Sequence, residues 1–218
     1  LDGYRTVEPM KGFAQLLRAK VAEYPSPDED DLDIEEKIKP VVVVGARGCD
    51  TIAMELIDKV LTEGEFTDPF YMARREKMTV IAADCTDCGE TCFCNLLGNK
   101  PWPERGYDLT VSRISGGYLV ETGSERGEKI VEENSELFAE PRSGQDEARD
   151  EIRRKVLAKL ERTNEEYPKA DEVIDILRES LTDETWDEEA ARCVECGACT
   201  NICPTCYCFL LWDRSEDE

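Results

Sequence analysis

The chain contains the stretch Val41-Val-Val-Val44-Gly45-Ala-Arg-Gly48-Cys49-Asp50, which decides its fold. Four consecutive valines predict a short strand buried on both faces, and the glycine-flanked segment predicts a turn out of it. Apolar residues then recur at helical spacing from Ile52 to Leu61, and Asp50 is placed to cap that helix. The order strand, loop and helix is typical of an α/β fold with a parallel sheet.

Further strands are predicted downstream of this unit. Thr79–Ala83 is a second short apolar run, and its separation from Val44 leaves room for a crossover helix. The two strands are therefore predicted to be parallel neighbours. Val111–Ile114 and Tyr118–Val120 flank the turn sequence Ser115-Gly-Gly117, which predicts an antiparallel hairpin.

Helical spacing is found at the amino end and in the last third of the chain. An amphipathic stripe predicts a helix over residues 143–165, and two shorter helices are predicted over 170–181 and 182–191. A short helix is also predicted after Pro9, with one apolar face made by Phe13, Leu16, Leu17 and Val21.

A cysteine run near the carboxyl end carries the clearest chemistry. The sequence Cys193-Val-Glu-Cys196-Gly-Ala-Cys199-Thr-Asn-Ile-Cys203-Pro204 follows the spacing C-x2-C-x2-C-x3-C-P of ferredoxins. Three closely stepped thiolates can bind one [4Fe–4S] cube, whereas the fourth cysteine usually ligates another cluster. Zinc is the alternative, but four-cysteine zinc sites use two C-x2-C pairs with a longer spacer. The run therefore predicts an electron-transfer protein.

A second group of cysteines lies in the middle of the chain, in Cys85-Thr-Asp-Cys88-Gly-Glu-Thr-Cys92-Phe-Cys94. If the first two strands are parallel, the loops that follow them share one sheet edge, and Cys49 faces Cys85. Cys49 also begins a predicted helix, where the dipole favours a thiolate. We therefore predict a second cluster, with Cys88 as a spare or substitute ligand, held by Cys49, Cys85, Cys92 and Cys94.

The two cysteine groups share a short motif, because Thr91-Cys-Phe-Cys94 recurs as Thr205-Cys-Tyr-Cys208. In extended backbone, such a motif supplies two ligands on one side and an apolar wall on the other. Three alternatives to a mid-chain cluster stay open: a redox disulfide between Cys85 and Cys88, buried thiols without a ligand, or a structural zinc on Cys85, Cys88, Cys92 and Cys94.

Three parts of the chain are expected from these patterns. Residues 1–139 are predicted to form an α/β lobe that bears cysteines, residues 140–192 a helical bridge, and residues 193–218 an incomplete ferredoxin-type iron–sulfur module. The alternative for residues 140–192 is that their helices merely cover the sheet.

Composition excludes several classes of function. Fifty acidic residues against 27 basic ones give a formal net charge of −23, which repels nucleic acid and anionic lipid. The chain has no histidine, so histidine bases, Rieske ligation and histidine zinc sites are excluded. No apolar run approaches the roughly 18 residues of a membrane helix. Nucleic-acid binding and direct membrane insertion are therefore not expected.

Eleven cysteines would suit a secreted disulfide-rich protein or a redox protein of the cytoplasm. The chain begins Leu1-Asp-Gly-Tyr4, without a basic or apolar leader, so we expect a cytoplasmic protein with metal or redox chemistry. The missing initial methionine and the end soon after Cys208 suggest a piece of a longer polypeptide.

Five motifs together resemble a known family. They are Gly45-Ala-Arg-Gly-Cys49-Asp50, Asp68-Pro-Phe-Tyr71, Gly89-Glu-Thr-Cys-Phe-Cys94, Gly117-Tyr-Leu-Val-Glu-Thr-Gly123 and Cys203-Pro-Thr-Cys-Tyr-Cys-Phe209. The chain resembles the iron–sulfur beta subunit of cytoplasmic NiFe hydrogenase or sulfhydrogenase, which is similar to the A subunit of anaerobic sulfite reductase. The resemblance covers most of the chain, from Tyr4 to Phe209.

The resemblance implies a non-catalytic electron conduit between a flavoprotein that oxidises a nucleotide and a catalytic subunit. Members of the family carry a second C-x2-C-x2-C-x3-C-P run, whereas this sequence ends first, so we expect it to be truncated at both ends. The fourth ligand for Cys193, Cys196 and Cys199 would then come from Cys203, Cys206 or Cys208. A runner-up function is a disulfide or sulfur-species reductase whose Cys49/Cys85 cluster contacts the substrate directly.

Overall fold

The computed structural model describes residues 8–15, 18, 20, 38–208 and 212–213. The strands of this part are β1 (Val41–Ala46), β2 (Met78–Ala83), β3 (Leu109–Ile114) and β4 (Gly117–Thr122). Its α-helices are α1 (Gly48–Thr62), α2 (Pro69–Glu76), α3 (Glu125–Glu133), α4 (Gln145–Thr163), α5 (Ala170–Glu179), α6 (Glu184–Ala191) and α7 (Ala198–Ile202). Short 3-10 turns lie at Met10–Phe13, Cys94–Leu97 and Ser135–Leu137.

The strands form one mixed sheet in the order β1-β2-β3-β4. β1 and β2 are parallel, with Val43 opposite Val80, and β2 and β3 are also parallel. β3 and β4 form the predicted antiparallel hairpin. The α/β class and the parallel pairing of the first two strands are therefore confirmed. The loops after β1 and β2 consequently leave the sheet at the same edge.

The prediction that β1 is buried on both faces is wrong. Val42 and Val44 are 59% and 60% exposed, because β1 is the edge strand of the sheet among the described residues. A run of valines has the same appearance at an edge as at the centre of a sheet, so the sequence pattern cannot separate the two. The strand also carries an irregularity between Val44 and Ala46, where Gly45 adopts a φ of 89° that favours glycine.

The main core lies between α1 and the inner face of the sheet. Met54 and Ile57 of α1 pack with Met78 and Val80 of β2 and with Tyr71 of α2. Burial of these side chains stabilises the strand, loop and helix unit that places Cys49 and Cys85.

The first 3-10 turn, Met10–Phe13, also joins this core through Met10 and Ala14. Phe13, which was predicted to face the core, is half exposed. The other predicted core positions of this segment, Leu16, Leu17 and Val21, lie outside the described residues.

Helix α4 packs against β3, β4 and the turn Cys94–Leu97. Its side chains Val156 and Leu160 are buried, in agreement with the predicted amphipathic stripe. α4 thus covers part of the sheet, as the alternative for residues 140–192 expects. The division of the chain at residues 139 and 192 stays a prediction. No described helix is long and apolar enough to cross a bilayer.

The helix boundaries agree with the sequence patterns in most places. α5 and α6 begin and end within two residues or so of the predicted spans, and the Asp183 carboxylate caps α6 by accepting from the Thr185 amide. α3 is absent from the predictions. Its start is marked by Ser124, whose hydroxyl accepts a hydrogen bond from the Gly127 amide.

We expect Tyr71→Phe to lower the free energy of unfolding by about 1–3 kcal/mol, as measured by urea denaturation. The Tyr71 side chain is 1% exposed, and its hydroxyl donates a 2.6 Å hydrogen bond to Asp58, which also accepts from Arg75 Nε at 3.1 Å. Tyr167→Phe is the matched control, because Tyr167 is exposed. Equal effects of the two substitutions would contradict the structural role of this hydrogen bond.

Candidate functional site

The mid-chain cysteines are positioned by the parallel strands. Cys49 lies in the first turn of α1, directly after β1, and Cys85 follows the end of β2. Cys94 begins the 3-10 turn Cys94–Leu97. Cys85 and Cys94 are electrostatic neighbours of the Cys49 thiol, and Cys85 and Cys92 are those of Cys94. The thiols of Cys49, Cys85, Cys92 and Cys94 are thus close enough to influence one another electrostatically, and their role as ligands of one cluster stays a prediction.

The protein environment disfavours negative charge on the thiols of Cys49 and Cys94. Burial, together with the charges of Asp50, Cys85 and Cys94, raises the pKa of Cys49 to about 12. Burial, followed by the charges of Cys85 and Cys92, raises the pKa of Cys94 to about 11. These effects outweigh the helix amino terminus that was expected to favour a Cys49 thiolate. A positively charged centre between the thiols would compensate for the repulsion and stabilise their deprotonated forms.

Cys88 occupies a different environment from the other four thiols. It is 7% exposed and forms an apolar cluster with Val156 and Leu160 of α4. Cys85, Cys92 and Cys94 pack against the outside of this cluster. In this position Cys88 anchors the cysteine loop to α4 as a small apolar side chain.

The loops that carry Cys49 and Cys85 are tied to each other. Arg47 donates from Nη1 to the Asp84 carbonyl oxygen at 2.6 Å, and its own amide donates to Asp50 at 2.8 Å. The Cys85 amide donates to the Pro101 carbonyl oxygen at 2.8 Å. Gly48 lies so close to the backbone of the same segment that a Cβ would come within 2.7 Å of the Trp102 carbonyl oxygen. Backbone contacts therefore fix the distance between the two loops.

Asp84, the residue before Cys85, joins the end of β2 to β3 and to α4. Its carboxylate forms an ion pair with Arg153 Nε of α4 at 2.7 Å and accepts from Ser112 Oγ at 2.8 Å. The Arg153 guanidinium lies 5.3 Å from the centre of the Trp102 ring. Because Asp84 is buried, this pairing satisfies a charge that would otherwise be costly. Sequence patterns missed this network, since its members are far apart along the chain.

The Cys92 loop is held by α4 as well. Asn164, at the end of that helix, donates from Nδ2 to the Cys92 carbonyl oxygen at 2.9 Å and to Asn95 Oδ1 at 2.6 Å. The Gly89 amide donates to Cys92 Sγ at 3.3 Å. Hydrogen bonds of this kind orient sulfur ligands in sites that bind metal through cysteine.

The carboxyl-terminal cysteines lie in a more open segment. Cys193, Cys196, Cys199 and Cys208 are exposed, whereas Cys203 and Cys206 are partly buried. The backbone turns at Glu195 and Gly197, whose φ values are 56° and 69°, and α7 begins after them. The Glu195 amide donates to Cys193 Sγ at 3.4 Å.

The thiol of Cys203 is more acidic than an ordinary cysteine. Hydrogen bonds with the side chains of Thr205 and Cys206 lower the pKa of Cys203 to about 7. A thiol with such a pKa is ready to serve as a thiolate ligand at neutral pH. The repeated Thr-Cys-aromatic-Cys motif does not form the predicted apolar walls, because Phe93 and Tyr207 are both substantially exposed.

The donor sets can be compared with the two candidate metal groups. Around one zinc ion, Zn–S bonds of about 2.3 Å bring the sulfurs of a tetrahedral site to within about 4 Å of one another. No three metal-binding side chains among the described residues are gathered tightly enough to hold a single ion. A [4Fe–4S] cube is larger and places its thiolates farther apart, and it is bound by cysteine thiolates alone. The all-cysteine donor set fits the thiolate chemistry of such a cluster, and it also fits that of a four-cysteine zinc site. None of the eleven cysteines forms a disulfide in this structure, so the Cys85–Cys88 disulfide is not present.

Comparison with known proteins relates the chain to a curated protein over nearly its whole length. The chain matches no protein-family model and no solved structure. It is 29% identical over 220 residues to sulfhydrogenase 2 subunit beta of Pyrococcus furiosus. The match covers 98% of this chain and 61% of that protein, so the chain spans about three fifths of the length of its relative. The similarity supports a relation to hydrogenase beta subunits.

Proposed function

We propose that the chain is an electron-transfer iron–sulfur subunit of a multi-subunit hydrogenase or sulfur-reducing complex. The observation that carries the proposal is the electrostatic proximity of Cys49, Cys85, Cys92 and Cys94, of which Cys49 and Cys85 directly follow the parallel strands β1 and β2. The similarity to a sulfhydrogenase beta subunit and the ferredoxin spacing of Cys193–Cys203 support it.

Two [4Fe–4S] clusters are proposed for the chain. The first is held by Cys49, Cys85, Cys92 and Cys94, and the second by Cys193, Cys196 and Cys199 with a fourth ligand from Cys203, Cys206 or Cys208. A bound cluster of this type accepts and releases one electron at a time. The residues of the chain orient the thiolates through the Arg47 and Asn164 hydrogen bonds and exclude water on the side of Val156 and Leu160.

The partners are proposed from the same family resemblance. A flavoprotein subunit would deliver electrons, and a catalytic redox subunit related to hydrogenase, sulfur reductase or sulfite reductase would receive them. Under this proposal the chain works in the cytoplasm and contains no catalytic residue. Its acidic surface argues against nucleic acid or anionic lipid as a partner.

One observation favours a second candidate function. The Cys49 residue as a whole is exposed, whereas Cys85, Cys92 and Cys94 are partly buried, although protein atoms around the Cys49 thiol still disfavour its charge. An exposed ligand would allow a disulfide or another sulfur species to approach the mid-chain cluster directly, as in a reductase. Turnover of such a substrate by the isolated chain, without a partner subunit, would favour this candidate over a pure electron conduit.

Iron and labile sulfide analysis of the anaerobically purified protein tests the proposal. We expect about eight irons and eight sulfides per chain, because two cubes contain four of each. About four irons with one zinc would contradict the mid-chain cluster and support the zinc alternative. Absence of iron under anaerobic reconstitution would contradict both sites.

A further inference from the structure

Lys11 is a buried lysine in the first 3-10 turn of the chain. It is 8% exposed, and the turn that carries it is fixed to the α/β core through Met10 and Ala14. Lysine is rarely buried, since an ammonium group loses strong hydration unless its hydrogen bonds are replaced. The groups that accept hydrogen bonds from Lys11 therefore indicate the role of this buried side chain.

The ammonium group of Lys11 binds the carboxyl-terminal cysteine segment. Nζ donates to the Thr200 carbonyl oxygen at 2.8 Å and to the Cys206 carbonyl oxygen at 2.6 Å. Gln15 adds a third hydrogen bond from Nε2 to the Tyr207 carbonyl oxygen at 3.3 Å. One short segment near the amino end thus contacts both α7 and the Thr205–Cys208 motif, about 190 residues away in sequence.

The same contacts place a positive charge beside a candidate cluster ligand. Lys11 Nζ lies 2.6 Å from the backbone carbonyl oxygen of Cys206, one of the candidate ligands of the carboxyl-terminal cluster. Reduction of a cluster adds one negative charge to the cluster and its thiolates. A fixed cation that is shielded from water favours the reduced form, because the low local dielectric strengthens the attraction.

We propose that Lys11 is a positioning residue for the carboxyl-terminal cluster, which joins residues 193–208 to the α/β lobe and stabilises the reduced cluster with its charge. The proposal rests on the proposed function, because it assumes a cluster bound by the carboxyl-terminal cysteines. The electron comes from a reduced flavin of the partner subunit, or from dithionite in the experiment, and no bond is made or broken in the protein.

The first measurement uses the iron-free protein and examines the contact alone. Trypsin can cleave after Arg192, immediately before the cysteine run. We expect Lys11→Met to be cleaved there several-fold faster than the wild type, because the segment loses two of its hydrogen bonds to the lobe. Lys11→Arg keeps the charge and the donors and should retain slow cleavage. Lys155→Met is the matched control, since Lys155 is exposed on α4.

The second measurement uses the reconstituted protein and a dithionite titration followed by electron paramagnetic resonance. We expect Lys11→Met to reduce the equilibrium constant for reduction of the carboxyl-terminal cluster about tenfold, which corresponds to about 59 mV for one electron. Lys11→Arg should keep the wild-type midpoint potential of the carboxyl-terminal cluster. The midpoint potential of the mid-chain cluster should be the same in all variants. Lys11→Gln, which keeps a donor without the charge, replaces Lys11→Met if that variant does not bind iron.

The outcomes separate this proposal from the proposed function. A wild-type protein without a carboxyl-terminal cluster signal contradicts the proposed function, and the trypsin measurement still examines the Lys11 contact. An unchanged midpoint potential of the carboxyl-terminal cluster in Lys11→Met or Lys11→Gln, with normal iron content, overturns the electrostatic role of Lys11. Equal cleavage rates of the wild type and Lys11→Met overturn the positioning role.

Discussion

Cys49→Ala is expected to remove about four of the eight irons from the anaerobically purified protein. Cys49 is the ligand candidate farthest in sequence from the others, and the parallel pairing of β1 and β2 brings it to Cys85 and Cys94. A [4Fe–4S] cube that loses one of four thiolates is exposed to water at one iron and is readily lost. The measurements are iron content and the paramagnetic resonance signal of the remaining cluster.

Cys88→Ala is the matched control for this experiment. The two substitutions remove the same atom, but the Cys88 sulfur lies in an apolar cluster with Val156 and Leu160. We therefore expect Cys88→Ala to keep about eight irons and to lower the free energy of unfolding by about 1 kcal/mol, as for loss of a small buried group. The opposite pattern, with iron lost in Cys88→Ala and kept in Cys49→Ala, would contradict the ligand assignment and show that Cys88 takes the place of Cys49 as an iron ligand.

A replacement of Cys49 by Cys88 in the Cys49→Ala protein is a further outcome to consider. It would require the Cys88 sulfur to leave its contacts with α4, where its burial is favourable. The double variant Cys49→Ala/Cys88→Ala tests it directly. Iron content that falls only in the double variant would show that Cys88 substitutes.

The part of the fold that could be predicted is the part encoded by local patterns. The valine run, the helical spacing after Asp50 and the second apolar run were sufficient to predict β1, α1 and β2 and their parallel arrangement. That arrangement predicts that Cys49 lies near Cys85, although no motif search would pair the two residues. Loops after neighbouring parallel strands must share an edge, so topology alone carried this step.

The errors and omissions concern contacts that depend on tertiary packing. Exposure of Val42 depends on which strand is at the edge, and the special position of Cys88 depends on how α4 packs. The ion pair between Asp84 and Arg153 joins residues 69 apart in sequence. Lys11 is separated from Cys206 by 195 residues. No periodicity or spacing rule records such pairs, because each partner has an ordinary local sequence.

The carboxyl-terminal module shows a different limit. Its cysteine spacing is the strongest signal in the sequence, yet Cys193, Cys196 and Cys199 are exposed and are not gathered in a tight group. Metal-binding loops commonly acquire their final arrangement only with the metal, since the thiolates repel one another without it. The sequence therefore predicts the ligands Cys193, Cys196 and Cys199 from their spacing alone, since these exposed side chains have few packing contacts that would reveal them.

Cys196→Ser is expected to abolish the signal of the carboxyl-terminal cluster and to leave the mid-chain cluster with about four irons. Cys196 is the middle cysteine of the run and lies between Glu195 and Gly197, where the backbone turns with positive φ. A serine hydroxyl is a much weaker iron ligand than a thiolate, whereas it fits the same space. Since Cys196 is exposed, the free energy of unfolding of the iron-free protein should change by less than about 0.5 kcal/mol.

Val194→Ala provides the control for Cys196→Ser within the same loop, because Val194 is 81% exposed and cannot ligate iron. It should retain both signals. The two cysteine variants together make the assignment specific: Cys49→Ala should lose one signal and Cys196→Ser the other, and each should keep half of the iron. Loss of the same signal in both would mean that the two cysteine groups bind one shared centre, and an unchanged reduced spectrum in Cys196→Ser would remove the ferredoxin-type run from the ligand set.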